Sequence, residues 1–327
     1  MAPLADDPAV PETNSRADKV TGAPAKSSDF VGTKEKFFYG GQAVIEGVMM
    51  RGPHHYAVAV RDPKTRAIVI DRGELKAGMY TNPFWKLPFI RGLALMGETI
   101  HLGMKSLIWS VNVNAGANDV KIGKREISIS VATSAVFGLL IFVVLPLVAT
   151  GFAVHRSGSL LFALVEGLIR VGLILGYLIL IGLIPDVRRV FQYHGAEHKT
   201  INAFESEWPL DVTNIRRASL LHPRCGTGFL LVVLVVSVIL FSLVALLHPN
   251  WPELILSRLI GIPVIAGASV EAIRYMARNR ANPVVGVLLV PVLGTQKFTT
   301  REPSDDMLEV ALAAFNAARE GEEAAAA

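Results

Sequence analysis

The sequence predicts a mainly α-helical, polytopic membrane protein, with about four transmembrane helices and a small cytoplasmic β-containing lobe. Three observations predict it. Four apolar runs, each long enough to cross about 30 Å of hydrocarbon, follow one another between residues 127 and 282. Basic residues gather at alternate ends of those runs. Composition leans the same way, with 51% hydrophobic and 18% charged residues and a mean hydropathy of +0.43.

Taken in order, residues 1–33 mix Pro, Ala, Ser, Asp and Lys with few large apolar side chains. Burial there cannot offset ordering entropy, so a disordered tail is expected, and it lacks the apolar core of a signal peptide. A β-rich cytoplasmic lobe follows over 34–81. Its opening stretch, Gly40 to Pro53, has glycines suited to close backbone approach but not the Lys-Ser/Thr of a phosphate loop. Tyr56–Val60 and Ala67–Ile70 flank Asp62-Pro63-Lys64-Thr65, the pattern of a β-hairpin with a longer loop. Over 82–126 the period becomes helical: Ile90, Leu93, Met96, Ile100, Met104 and Leu107 form an apolar stripe, with Trp85 and Trp109 near the ends. This segment is expected to lie in the membrane interface or pack on the bundle.

The membrane domain is expected over 127–282. Ile127–Val154 and Phe229–Leu247 contain no charge, and Leu160–Pro185 contains only Glu166 and Arg170, four apart and so placed to pair. Leu254–Met276 contains Glu271. Lys121, Lys124 and Arg125 precede the first run; Arg188, Arg189 and Lys199 follow the second. Arg216, Arg217 and Arg224 precede the third; Arg274, Arg278 and Arg280 follow the fourth, while Arg156 and Arg258 are assigned to the opposite connections. The positive-inside rule then puts both termini and the loop 186–226 in the cytoplasm, with the protein integral to the inner membrane. In the last part, 283–327, Pro283–Gly294 is too short to cross. Ser304 is placed to cap a helix with Met307, Leu308, Val310, Ala311, Leu312 and Phe315 on its apolar side. Its Ala- and Glu-rich end is expected to fray.

One cysteine excludes an intramolecular disulfide and suits a reducing compartment. The net charge of +4 comes from basic residues beside apolar runs, not along an aromatic face, so no nucleic-acid partner is expected. The chemistry concentrates in loop 186–226. His194 and His198 with Glu197 between them occupy positions i, i+3 and i+4, one face of a helix. That order suits two imidazole ligands to zinc or another divalent metal, with Glu197 as the general base. Glu271, near the cytoplasmic end of its span, is the favoured third ligand, since a carboxylate at that depth needs a partner. His222 and Cys225 compete for the place; Cys favours a closed structural site and Glu an open catalytic one. Glu205, about 10 Å along an unbroken helix from His198, is too far to join.

These stretches resemble the YqhQ-like family of uncharacterised multi-pass membrane proteins, which are predicted metal-dependent enzymes of bacteria and plastids. The matching residues are Gly40–Pro53, His194–Lys199, His222–Gly226 and Thr299–Pro303. The resemblance implies a multi-pass inner-membrane protein. A looser likeness to inverted zinc peptidases covers only His194, Glu197, His198 and a downstream Glu such as Glu271, and it concerns a site rather than a fold. The function expected is a membrane-embedded metal-dependent hydrolase, acting at the cytoplasmic face on a peptide or lipid-linked substrate amid membrane lipid. The alternative is a non-enzymatic membrane scaffold or assembly factor with a structural zinc or partner-binding loop.

Overall fold

A computed structural model of the chain describes residues 39–75, 84, 87, 89–116, 123–154, 160–279 and 282–326. The expected tail, Trp85, Lys121, Arg156 and Arg280 lie outside the described residues. The described residues open with a four-stranded antiparallel meander: β1 (Gly40–Val44), β2 (Gly47–Arg51), β3 (His55–Arg61) and β4 (Ile68–Glu74). The β3–β4 hairpin is the predicted one, and Asp62 Oδ1 closes its loop by accepting the N–H groups of Lys64 and Thr65 at 2.7 and 3.0 Å. The Gly40–Pro53 stretch forms the β1–β2 hairpin. Its turn residue Glu46 has φ 55°, and the Glu46 carboxylate receives Arg189 in a fork at 2.6 Å and Tyr193 Oη at 3.3 Å. Arg189 and Tyr193 belong to the helix that carries the histidines, so this turn fastens the sheet to the site.

The long helices follow: α1 (Ile90–Gly116), α2 (Lys124–Leu139), a π-turn (Leu140–Val144), α3 (Leu145–Ala153) and α4 (Leu160–Ile181). After them come α5 (Pro185–Glu205), α6 (Val212–Arg217), α7 (Gly226–Ala245), α8 (Trp251–Arg278), α9 (Pro283–Thr299) and α10 (Asp305–Ala326). Among the described residues, four stretches are long and apolar enough to cross a bilayer: Arg125–Ala153, Leu160–Ile181, Gly226–Ala245 and Trp251–Met276. Their outward faces are apolar, with Phe137, Phe152, Leu168 and Leu180 each more than 60% exposed. Such surface suits lipid tails rather than water. The apolar helix α9 is only 17 residues long and packs on α7.

β2 and β3 are buried on both faces. One face packs Val48, Met50, Ala57 and Ala59 against Tyr193 and Ala196 of α5 and Leu308, Ala311 and Phe315 of α10. The other packs Val44, Met49, Val58 and Val60 against Leu102 of α1. The α10 stripe is the one expected from Ser304 onward, but the helix does not fray where the sequence suggested. It runs on to Ala326, and Glu322 accepts the N–H groups of His54 and His55 at 2.7 Å each.

The stripe expected on α1 is also revised. Its buried side is Gly92, Leu102, Gly103, Ser106 and Ser110, while Ile100 is exposed. Small residues let α1 approach the sheet and α8 closely, while Ile90, Leu93, Met96, Met104 and Leu107 are only half-buried. Arg258 is likewise not a connection residue. It lies inside α8, buried, and pairs with Glu166, which also holds Arg170 as the sequence predicted.

Candidate metal centre

Helix α5 begins with Pro185 at its first turn and Asp186 beside the positive end of the dipole. Past Tyr193 it is buried almost all round, so its polar side chains need partners. The extended segment after α6 provides them. Lys199 Nζ donates to the carbonyls of Arg216 and Ala218 at 2.8 and 3.1 Å and pairs with Glu302 at 2.7 Å. Asn202 Nδ2 donates to Ser219 and Leu221 carbonyls at 2.7 and 3.1 Å. His198 Nδ1 donates to the Leu220 carbonyl at 2.5 Å. Gln296 of α9, fully buried, clamps His222 from both sides, accepting its N–H at 2.9 Å and donating to its carbonyl at 2.7 Å.

Gly195 sits where the backbone of Arg301 crosses α5, and a Cβ there would collide with the Arg301 carbonyl oxygen. The glycine that weakens the helix on propensity is what admits this crossing. The crossing in turn brings the Thr299 carbonyl to His194 Nδ1 at 2.8 Å. Both imidazoles therefore spend Nδ1–H on a backbone carbonyl, which fixes the tautomer and leaves Nε2 with its lone pair.

One ligand atom from each of His194, His198 and Cys225 lies within 4.8 Å of the other two. Cys225 Sγ is 3.2 Å from His194 Nε2, and the thiol caps α7, taking the Thr227 N–H at 3.4 Å. His198 Nε2 is buried without a hydrogen-bond partner. A buried nitrogen lone pair with two further soft or borderline donors beside it is what a zinc-type ion would satisfy. The residues present fit such an ion.

Glu197 lies at the edge of the cluster, with Oε2 3.5 Å from His198 Nε2. Burial raises its carboxyl above the ordinary value, against the opposing pull of His194, His222 and Arg224. Burial lowers His198, outweighing the opposing pull of the nearby Cys225 and the Leu220 carbonyl, so the ring stays neutral, the form that binds metal. Gly41 of β1 lies over Glu197; a Cβ there would come within 2.6 Å of Glu197 Cγ. The close backbone approach expected of Gly40–Pro53 is thus the roof over this carboxylate.

The remaining expected residues divide. Cys225, one of the two competitors, joins the histidines. His222 lies beside the cluster, its ring centre 5.6 Å from that of His198 and its Nε2 3.8 Å from Glu205 and 3.3 Å from Arg224. Glu205, excluded on distance, pairs with Arg224. Glu271, the favoured third ligand, is engaged elsewhere. Its carboxylate takes Arg91 in a fork and is 3.4 Å from the Phe89 N–H. The carboxylate did need a partner, and α1 supplies it. Sequence reasoning missed Thr299, Leu220 and Gln296 as positioning groups, although the matched stretch from Thr299 to Pro303 pointed at the first.

A cavity of about 200 Å³ opens beside Cys225. It is lined by Leu95, Phe229, Val270, Ile273 and Leu289, with Arg224 and Arg274 among the residues around it.

Residues 87–321 match the family described as a protein of unknown function, DUF1385. The chain is 36% identical over 294 residues to the uncharacterized protein YqhQ of Bacillus subtilis strain 168, covering 85% of this chain and 91% of that protein. No solved structure matches it. The chain belongs to this uncharacterised family, whose matched region includes all four helices long enough to span a membrane.

Proposed function

We propose that this member of the DUF1385 family is a membrane-embedded metal-dependent hydrolase, with zinc or another divalent ion held by His194, His198 and Cys225. One observation carries the reading: the unpartnered, buried Nε2 of His198 stands between a thiol-bearing cluster and the Glu197 carboxylate. Three protein ligands leave a position for water, the arrangement of catalytic rather than closed sites. A bound ion of this kind would acidify that water and polarise a carbonyl or phosphoryl oxygen.

The chain's own residues do the rest. Thr299 and Leu220 hold the imidazoles by Nδ1 so that Nε2 faces the cluster. Glu197, raised by burial, is poised to accept a proton from the attacking water and return it to the leaving group. The sheet and Gly41 close one side against solvent, while the apolar cavity at Cys225 leaves another side toward the bundle. That cavity suits the apolar part of a lipid-linked or membrane-embedded peptide substrate arriving laterally. By the distribution of Lys and Arg, the site faces the cytoplasm, with both termini on that side.

Glu197→Gln in purified protein should keep full metal content yet abolish product formation from a membrane extract, followed by mass spectrometry. Turnover equal to the parent would sink the hydrolytic mechanism. One observation favours a second reading: the third ligand is Cys225, whose thiolate suits structural zinc. A non-enzymatic scaffold or assembly factor then follows, and it requires that metal removal unfold the 206–226 segment and that Glu197→Gln be silent.

A further inference from the structure

Far from the histidines, Glu166 of α4 lies inside the bundle with two arginines on it. Arg170, one turn on, donates Nη2 to Glu166 Oε1 at 2.5 Å, and Arg258 of α8 forks both carboxylate oxygens. All three side chains are at least nine-tenths buried. Arg170 Nε donates to the Phe142 carbonyl at 3.0 Å, inside the π-turn. Pro146 has no N–H for the helical bond that this carbonyl would accept, so the sequence itself frees the acceptor. Phe241 of α7 lies against both guanidinium groups, 4.2 Å from Arg258 and 5.4 Å from Arg170.

The charges do not balance. A purely structural pair would be neutral, whereas two arginines on one carboxylate leave a net positive charge inside the apolar bundle. Nothing among the described residues packed around it restores neutrality: α2 beyond Glu126, the π-turn, α3 and α7 have no acid. Glu253 is used in its own helix cap, Glu271 is taken by Arg91 and Glu98 by Arg51. The connection 155–159 contains Arg156 and no carboxylate.

Beside this charge is a cavity of about 220 Å³, lined by Arg170, Arg258 and Ser237 at its polar part, with Phe241 beside them. Met96, Val143, Ile174, Val233, Ile262 and Ala266 are among the residues lining the rest. At about 30 Å³ per water-sized group it has room for roughly seven such groups, enough for an anionic head and the first methylenes of a longer chain. Arg170 Nη1 makes no hydrogen bond among the described residues, so a donor is left over on a residue that lines the space.

We infer that this cavity binds an amphiphile with one anionic head on an apolar chain, the head neutralising the Arg170–Arg258 pair. A fatty-acid carboxylate and a phospholipid phosphate share that chemistry. A small hydrated anion does not, because the apolar lining offers it few polar contacts. The site is independent of the histidine cluster.

The test is binding of decanoate, with decanol as a control of the same chain length, to the full chain purified in an uncharged detergent. Saturable binding of one decanoate per chain is expected, with decanol at least tenfold weaker. Arg170→Gln leaves a balanced Glu166–Arg258 pair and should lose decanoate by tenfold or more. Ala266→Leu, which fills the cavity without touching the charges, should lose it as well and serves if the first variant does not fold. Equal affinity for decanoate and decanol, or unchanged decanoate binding in either folded variant, overturns the proposal. Displacement of decanoate by phosphatidylglycerol assigns the head to a phospholipid; failure to displace assigns it to the free acid, and both outcomes uphold the site.

Discussion

Gly195→Ala separates two effects of opposite sign. Inside an α-helix, Ala is favoured over Gly by about 1 kcal/mol, so propensity alone predicts a more stable protein. The structure predicts the reverse. A Cβ at this position would overlap the Arg301 carbonyl oxygen and stand 2.9 Å from Leu220 Cδ2. The crossing segment cannot easily yield, because Arg301 N–H is bonded to the Phe191 carbonyl at 2.9 Å. Overpacking of this kind costs about 1–3 kcal/mol, which matches or exceeds the helix gain. A net loss of about 1–2 kcal/mol is expected at the upper part of that range, read by thermal unfolding in detergent. Displacing the segment also pulls the Thr299 carbonyl from His194 Nδ1, and losing such a support weakens metal binding by about 10–100-fold. Competition with a chelator measures that. Gly97→Ala is the control: Gly97 is exposed, with nothing near its would-be Cβ, and should gain up to about 1 kcal/mol. If Gly195→Ala stabilises as Gly97→Ala does, or holds metal as tightly as the parent, the crossing does not position His194.

Three further outcomes are expected. Phe315→Ala removes a fully buried ring set 4.8 Å from both Tyr39 and Phe204, and should cost about 3–5 kcal/mol by thermal unfolding. Glu271→Gln should lower stability through loss of its fork with Arg91 while leaving metal content unchanged; a metal-free variant would restore Glu271 as a ligand. Glu322 gives a pH dependence. Burial pushes its carboxyl up, but the His54 and His55 N–H groups outweigh this and hold it below the usual value. A depressed carboxylate contributes stability above its unfolded value of about 4.3 and loses it as pH falls through the lower folded value. Unfolding temperature should therefore fall between about pH 5 and 3 more steeply in the parent than in Glu322→Gln; identical profiles would exclude the clamp.

The four long apolar helices were legible because length and absence of charge decide them. The β3–β4 hairpin and the α10 stripe were legible because alternation and helical spacing survive in the sequence. The β1–β2 hairpin was not. Val48 to Met50 is buried on both faces and so shows no alternation, and the turn rests on Glu46, not glycine, at positive φ. The two histidines and Glu197 were readable from spacing on one helix. Which of Glu271, His222 and Cys225 comes nearest them was not, since all three arrive from other segments and only packing ranks them. The argument for Glu271 used its depth along α8 correctly, but depth says nothing of rotation about the helix axis. Rotation turns Glu271 toward Arg91 of α1. Likewise Arg258, beyond the spacing rules that paired Glu166 with Arg170, meets them only through packing of α8 on the bundle.

Cobalt loading tests the central claim most directly, because a cobalt–thiolate bond gives a charge-transfer absorption that imidazole and carboxylate ligands do not. The parent should bind one cobalt ion per chain and show that absorption. Cys225→Ser should lose it, and His194→Ala and His198→Ala should each lose the metal. A parent that takes up no cobalt, or an absorption that persists in Cys225→Ser, would contradict a metal centre built from His194, His198 and Cys225.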